Sequence, residues 1–111
     1  MDESIEYEAG TASAQELQEE TAAFWRELSQ SDELRGAVAA ADLDLEEVQR
    51  LDPEQLIKVE QQGEGFAPVA ILVVFAPAAN HALSSLWDEV VVPWIRRRRG
   101  ADAIGKQKPP G

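Results

Sequence analysis

The chain has no cysteine and only one histidine among its 111 residues. The missing cysteines exclude disulfides, thiolate metal sites and cysteine nucleophiles. Aromatic residues are scarce, at 6%, so an aliphatic, alanine-rich core is expected. Positive charge is also short: ten Lys/Arg face 21 Asp/Glu, for a net charge of −11. The deficit is uneven, because residues 1–64 carry eighteen acidic and four basic side chains (net −14) and residues 65–111 carry three and six (net +3). Such an acidic surface repels phosphate backbones, so nucleic acid is not an expected partner. It suits a protein partner instead.

An apolar fraction of 44% with 28% charged residues belongs to a globular chain, and this length builds one modest core. A single domain over residues 1–99 is expected, followed by a flexible tail over 100–111. Met1-Asp2-Glu3-Ser4 is acidic where a secretory signal begins basic, so a cytoplasmic location is the expectation.

Local patterns suggest the elements. Ile5-Glu6-Tyr7-Glu8 alternates like a short strand. Ser13 and Glu16 have capping-box spacing, and Leu17, Ala22, Phe24, Trp25 and Leu28 follow at near-helical intervals, predicting a helix over about 14–30. Ser31-Asp32 opens a second, shorter helix, and Asp44 caps a turn or two over Leu45–Leu51 that Asp52-Pro53 ends. Leu56-Ile57-Lys58-Val59-Glu60 alternates again, predicting a strand that could pair with the first.

Formal charge is then absent from Gly65 to Trp87, and the stretch beyond closes on Trp94-Ile95-Arg96-Arg97-Arg98-Arg99-Gly100. Leu72, Phe75 or Ala76, Ala79, Leu83, Leu86, Val90 and Trp94 keep a helical interval, predicting a kinked apolar helix or helical hairpin over about 68–98. The β-branched cluster Val69, Ile71, Val73 and Val74 supports a competing strand at 69–75. Uncharged length alone would permit a membrane anchor over residues 66–87. Pro77 and the Asn80-His81 and Ser84-Ser85 pairs interrupt it, which favours a folded core.

Chemistry-bearing patterns are weak. His81 with Asn80, Ser84 and Ser85 lacks a Gly-x-Ser-x-Gly elbow, and Asn80 reads better as a helix cap. Asp42, Asp44, Glu46 and Glu47 alternate like a calcium loop without its glycine or distal glutamate. Gly63-Glu64-Gly65-Phe66-Ala67-Pro68 starts like a phosphate loop but lacks the third glycine. No catalytic residue, cofactor or metal site is expected. Arg96–Arg99 can complement a helix dipole before Gly100, yet four consecutive arginines exceed that need. With Trp94 they form the candidate interaction surface, toward an acidic partner or another copy of the chain.

Two segments also carry a resemblance: Ser31-Asp32-Glu33-Leu34-Arg35-Gly36 after the Phe24-Trp25 helix, and the Trp94–Gly100 block. Together they are similar to the small effector-associated component domains of actinobacterial conflict and signalling systems. The resemblance implies a bacterial, non-enzymatic adaptor and transfers no catalytic residue. The expected fold is α+β, predominantly helical, with a small two-stranded sheet, or else all-α. The expected function is a non-catalytic interaction module, with a single-pass or peripheral membrane protein as the alternative.

Overall fold

A computed structural model describes residues 3–62, 70–76 and 81–107. In chain order the elements are β1 (Glu3–Ala9), α1 (Ala14–Leu28), α2 (Asp32–Ala40), α3 (Leu45–Arg50), α4 (Pro53–Leu56), β2 (Ile57–Gln62) and β3 (Ala70–Phe75). A continuous helical segment follows, made of α5 (His81–Leu86), a π-helical turn (Trp87–Val91) and α6 (Val92–Arg99), and β4 (Ile104–Gln107) comes last.

The helix starts follow from short polar side chains. Ser13 and Glu16 close a reciprocal capping box on α1, with Ser13 Oγ accepting from Glu16 N–H at 3.1 Å and Glu16 Oε1 accepting from Ser13 N–H at 2.9 Å. Ser31 caps α2, Asp44 caps α3, and Asp52 caps α4 with Pro53 in the first turn. Asp44 is thereby committed to backbone, its Oδ1 accepting from Glu46 N–H and Glu47 N–H. The end of α2 is a Schellman arrangement: Leu43 N–H bonds to Val38 C=O, Asp42 N–H bonds to Ala39 C=O, and Asp42 sits at φ 61°. An L-residue is strained there and glycine is not. Asp42→Gly is expected to stabilise the fold by roughly 0.5–1 kcal/mol, read as a higher urea midpoint at unchanged m-value.

The sheet corrects the expected two-stranded one, and the all-α alternative with it. Four antiparallel strands run in the order β2-β3-β1-β4. Residues 70–75 are strand, so the helix or helical hairpin expected over 68–98 does not include them. An unbroken apolar run contains the helical interval and the strand interval alike, so periodicity does not choose between them. Six residues enriched in β-branched side chains and paired on both sides settle as a central strand. β2 pairs with β3 and not with β1: Ile57, Val59 and Gln61 stand opposite Phe75, Val73 and Ile71.

Residues 104–107 form β4 where a flexible tail is expected, and Ala103 and Ile104 are buried. Gly105 makes the pairing possible, because a Cβ there would lie 2.5 Å from the Glu8 carbonyl oxygen. The buried sheet face carries Tyr7, Ile57, Ile71, Val73 and Phe75, which join Leu17, Phe24, Leu28, Leu83, Leu86, Trp87 and Ile95 in one core.

Pro93 does not split the last helix. It has no N–H to give and its ring crowds the carbonyl four residues back. Just before it the chain widens into the π turn, where Val92 N–H bonds to Trp87 C=O. Pro93 then falls in the first turn of α6. Among the described residues no helix is long and apolar enough to cross a membrane. The N-cap proposed at Asn80, the proline at 77 and the Gly63–Pro68 pattern lie outside the described residues, as does the side chain of His81.

Candidate interaction site at the arginine block

Sequence reasoning groups Trp94 with Arg96, Arg97, Arg98 and Arg99 as one contact surface. On α6 these residues point in different directions, and each arginine meets a group of its own chain. Arg96 Nη2 donates to the carbonyls of Ile104 (3.2 Å) and Gly105 (2.8 Å), tying β4 to the helix. Arg97 reaches Glu33 of α2 at 3.3 Å and stays 61% exposed. Arg98 Nε donates to Glu20 at 2.8 Å, its Nη1 lies 3.6 Å from Glu27, and its guanidinium sits 4.6 Å over the Trp94 ring. Arg99 donates to Glu16 at 2.8 Å and lies 3.4 Å from Glu20.

Trp94 itself is 7% exposed. It packs edge-on against Phe24 at 5.4 Å, and Phe24 meets Trp25 in the same way at 5.4 Å. The aromatic seam between α1 and α6 lies beneath the ion pairs. Trp94 is an anchor of that seam and not an exposed contact.

The partners of the arginines are what sequence reasoning missed. Glu20, which the apolar positions named for this helix leave out, falls on its buried stripe with Leu17, Thr21, Phe24 and Leu28. The spacing itself carried that signal, because positions 17, 20, 24 and 28 share a helical face. A carboxylate in that stripe needs a cation or donor. Glu16 serves twice, closing the cap with Ser13 and accepting from Arg99. Its carboxyl is held below the ordinary range by the Ser13 backbone N–H first and the Arg99 guanidinium second. The same contacts raise Arg98 and Arg99, chiefly through hydrogen bonds to Glu20 and Glu16 respectively.

Beside the seam lies a groove of about 470 Å³, lined among others by Glu27, Glu33, Leu34, Trp94, Arg97 and Arg98. Both charge signs alternate along it, and its guanidiniums already hold carboxylates. An incoming anion would have to displace Glu27 or Glu33. Among the described residues no group of three or more His, Asp or Glu side chains is placed to hold a metal ion.

A second polar cluster sits where the π turn meets β1. The buried Tyr7 phenol donates to Asp88 at 3.0 Å. The Trp87 indole nitrogen is buried without a well-formed hydrogen bond, although it lies near enough to act on the phenol. Burial, and then the Asp88 charge, pushes the Tyr7 pKa well above its ordinary value of 10.0. A raised pKa means stability that is complete below about pH 10 and lost as pH rises toward the folded value. Tyr7 is the sole tyrosine, so ultraviolet absorbance reads it cleanly. Its phenolate signal is expected to stay absent through pH 10 and to appear together with loss of circular dichroism.

Comparison with known protein families, curated proteins and solved structures finds no match.

Proposed function

We propose that the chain is a non-catalytic protein-interaction module, an adaptor or regulatory unit that offers an acidic surface to a basic partner protein in the cytoplasm. The observation that carries this reading is the internal use of the arginine block. Arg96–Arg99 are engaged with β4 and with Glu16, Glu20, Glu27 and Glu33. The net charge of −11 therefore falls on the rest of the surface, where Glu19, Glu46, Asp52, Glu54, Glu60 and Glu89 are all exposed or half-exposed. A strongly acidic field steers basic partners and repels a second copy of the same chain. The resemblance to effector-associated component domains favours an adaptor as well. A membrane anchor over 66–87 has no comparable support, because part of that segment is the central strand β3.

Capture of partners from host cell extract tests the proposal, with wild type compared against Glu46→Gln/Glu54→Gln/Glu60→Gln. A stoichiometric basic protein, released by salt and held at least about fivefold more weakly by the variant, is the expected result. Capture that ignores both salt and the substitutions would overturn it, as would sedimentation showing only self-association.

A further inference from the structure

The outer face of the sheet breaks the rule its own strands set. An antiparallel sheet covered on one side presents polar residues on the other. β1 does so with Ser4, Glu6 and Glu8, and β2 does so with Lys58 and Glu60. β3, between them, does not. Its alternate positions are Ala70, which is buried, and Leu72 and Val74, so the strand is apolar on both faces, as in a sheet covered on both sides. The register places Val74 between Ser4 and Lys58, and Leu72 between Glu6 and Glu60. Leu72 and Val74 are half-buried while Ser4, Glu8, Lys58 and Glu60 around them are exposed.

Resting on the interaction-module reading, we infer that this face, centred on Leu72 and Val74, docks a basic amphipathic helix of the partner protein. Charge decides the occupant. Three glutamates and one lysine frame the apolar row, on a chain of net charge −11. That frame opposes another copy of the chain and opposes an anionic lipid surface. It fits an apolar stripe edged with Lys or Arg. A strand would instead add at an edge, and the β2 edge is engaged. Gln18 of α1 donates to the Ile57 carbonyl at 2.9 Å and accepts from Val59 N–H at 2.8 Å.

The test uses the full chain and a designed Leu/Lys amphipathic helical peptide, with a scrambled peptide of the same composition as control. Fluorescence anisotropy is expected to show the ordered peptide binding about tenfold tighter than the scrambled one. Amide shifts should map to Ser4, Lys58, Leu72 and Val74. Leu72→Thr/Val74→Thr places β-branched strand formers at both positions and should abolish the preference for the ordered peptide while leaving the scrambled peptide's affinity unchanged. Should that variant fail to fold, the shift map on wild type decides. Equal binding of the two peptides, or shifts confined to α3 and α4, overturns the docking face and leaves the acidic-surface reading standing. Absence of binding by either peptide also overturns the docking face, and the cell-extract capture then decides the wider reading on its own.

Discussion

Glu20→Lys is expected to cost about 2–4 kcal/mol of folding stability. Glu20 lies in the apolar stripe of α1 with its side chain 11% exposed, and it accepts from both Arg98 and Arg99. A lysine there would put a third cation against two guanidiniums and leave them only the outer carboxylates Glu27 and Glu16. The cost stays below that of a fully buried reversal, because Arg98 and Arg99 are 42% and 33% exposed and water screens them. Glu20→Met should come within about 1 kcal/mol of wild type, since an apolar side chain of similar volume removes the desolvation problem and lets both arginines turn to solvent. Urea unfolding of the two variants checks the pair. Equal destabilisation by Met and Lys would mean that shape, and not charge, matters at this position.

Phe24→Ala is expected to be more damaging still, at about 3–5 kcal/mol. Phe24 is fully buried and touches Trp25 and Trp94 edge-on, so truncation opens a cavity where α1 meets α6. The packing loss comes with loss of two favourable ring contacts. Phe24→Leu refills most of the volume and should cost less than half as much, read from the same unfolding curves. Because Trp94 also supports the Arg98 guanidinium, the alanine variant should loosen the ion pairs above it. Its stability should therefore depend less on salt than that of wild type.

These two side chains also show what was legible in the sequence. Three helix starts were legible because one short polar residue suffices to cap a helix, and Ser13, Ser31 and Asp44 each do so; Asp52 was read only as a stop, although it caps α4. The strand in the uncharged run was not. Ala70 to Phe75 contains no polar residue to report a period, so the true helical interval of Leu83, Leu86, Val90 and Trp94 continues falsely back through it. β4 was hidden for the opposite reason: Ile104-Gly105-Lys106-Gln107 has almost no intrinsic strand character. It forms because Gly105 lets Glu8 approach and Arg96 bonds the carbonyls of Ile104 and Gly105.

At the candidate site, Trp94 and the four arginines were visible as a group, but their destinations were not. Charge partners some 64 to 83 residues apart are set by how α1, α2 and α6 pack, which no local pattern records. The exception is Glu20, whose place in the buried stripe follows from its spacing to Leu17 and Phe24. A glutamate at a core position of an amphipathic helix, in a chain with one arginine block, already points to the pair.

The claim on which the rest depends is that the arginine block is engaged within the chain, with Arg98 and Arg99 held by the carboxylates of α1. A double-mutant cycle between Glu20 and Arg98 measures this directly, using Glu20→Lys, Arg98→Glu and the two together in urea unfolding. The charge-swapped double variant should be more stable than the sum of the single effects implies, by about 1 kcal/mol or more. Additivity within about 0.3 kcal/mol would contradict the account, because the two side chains would then not be interacting in the folded protein.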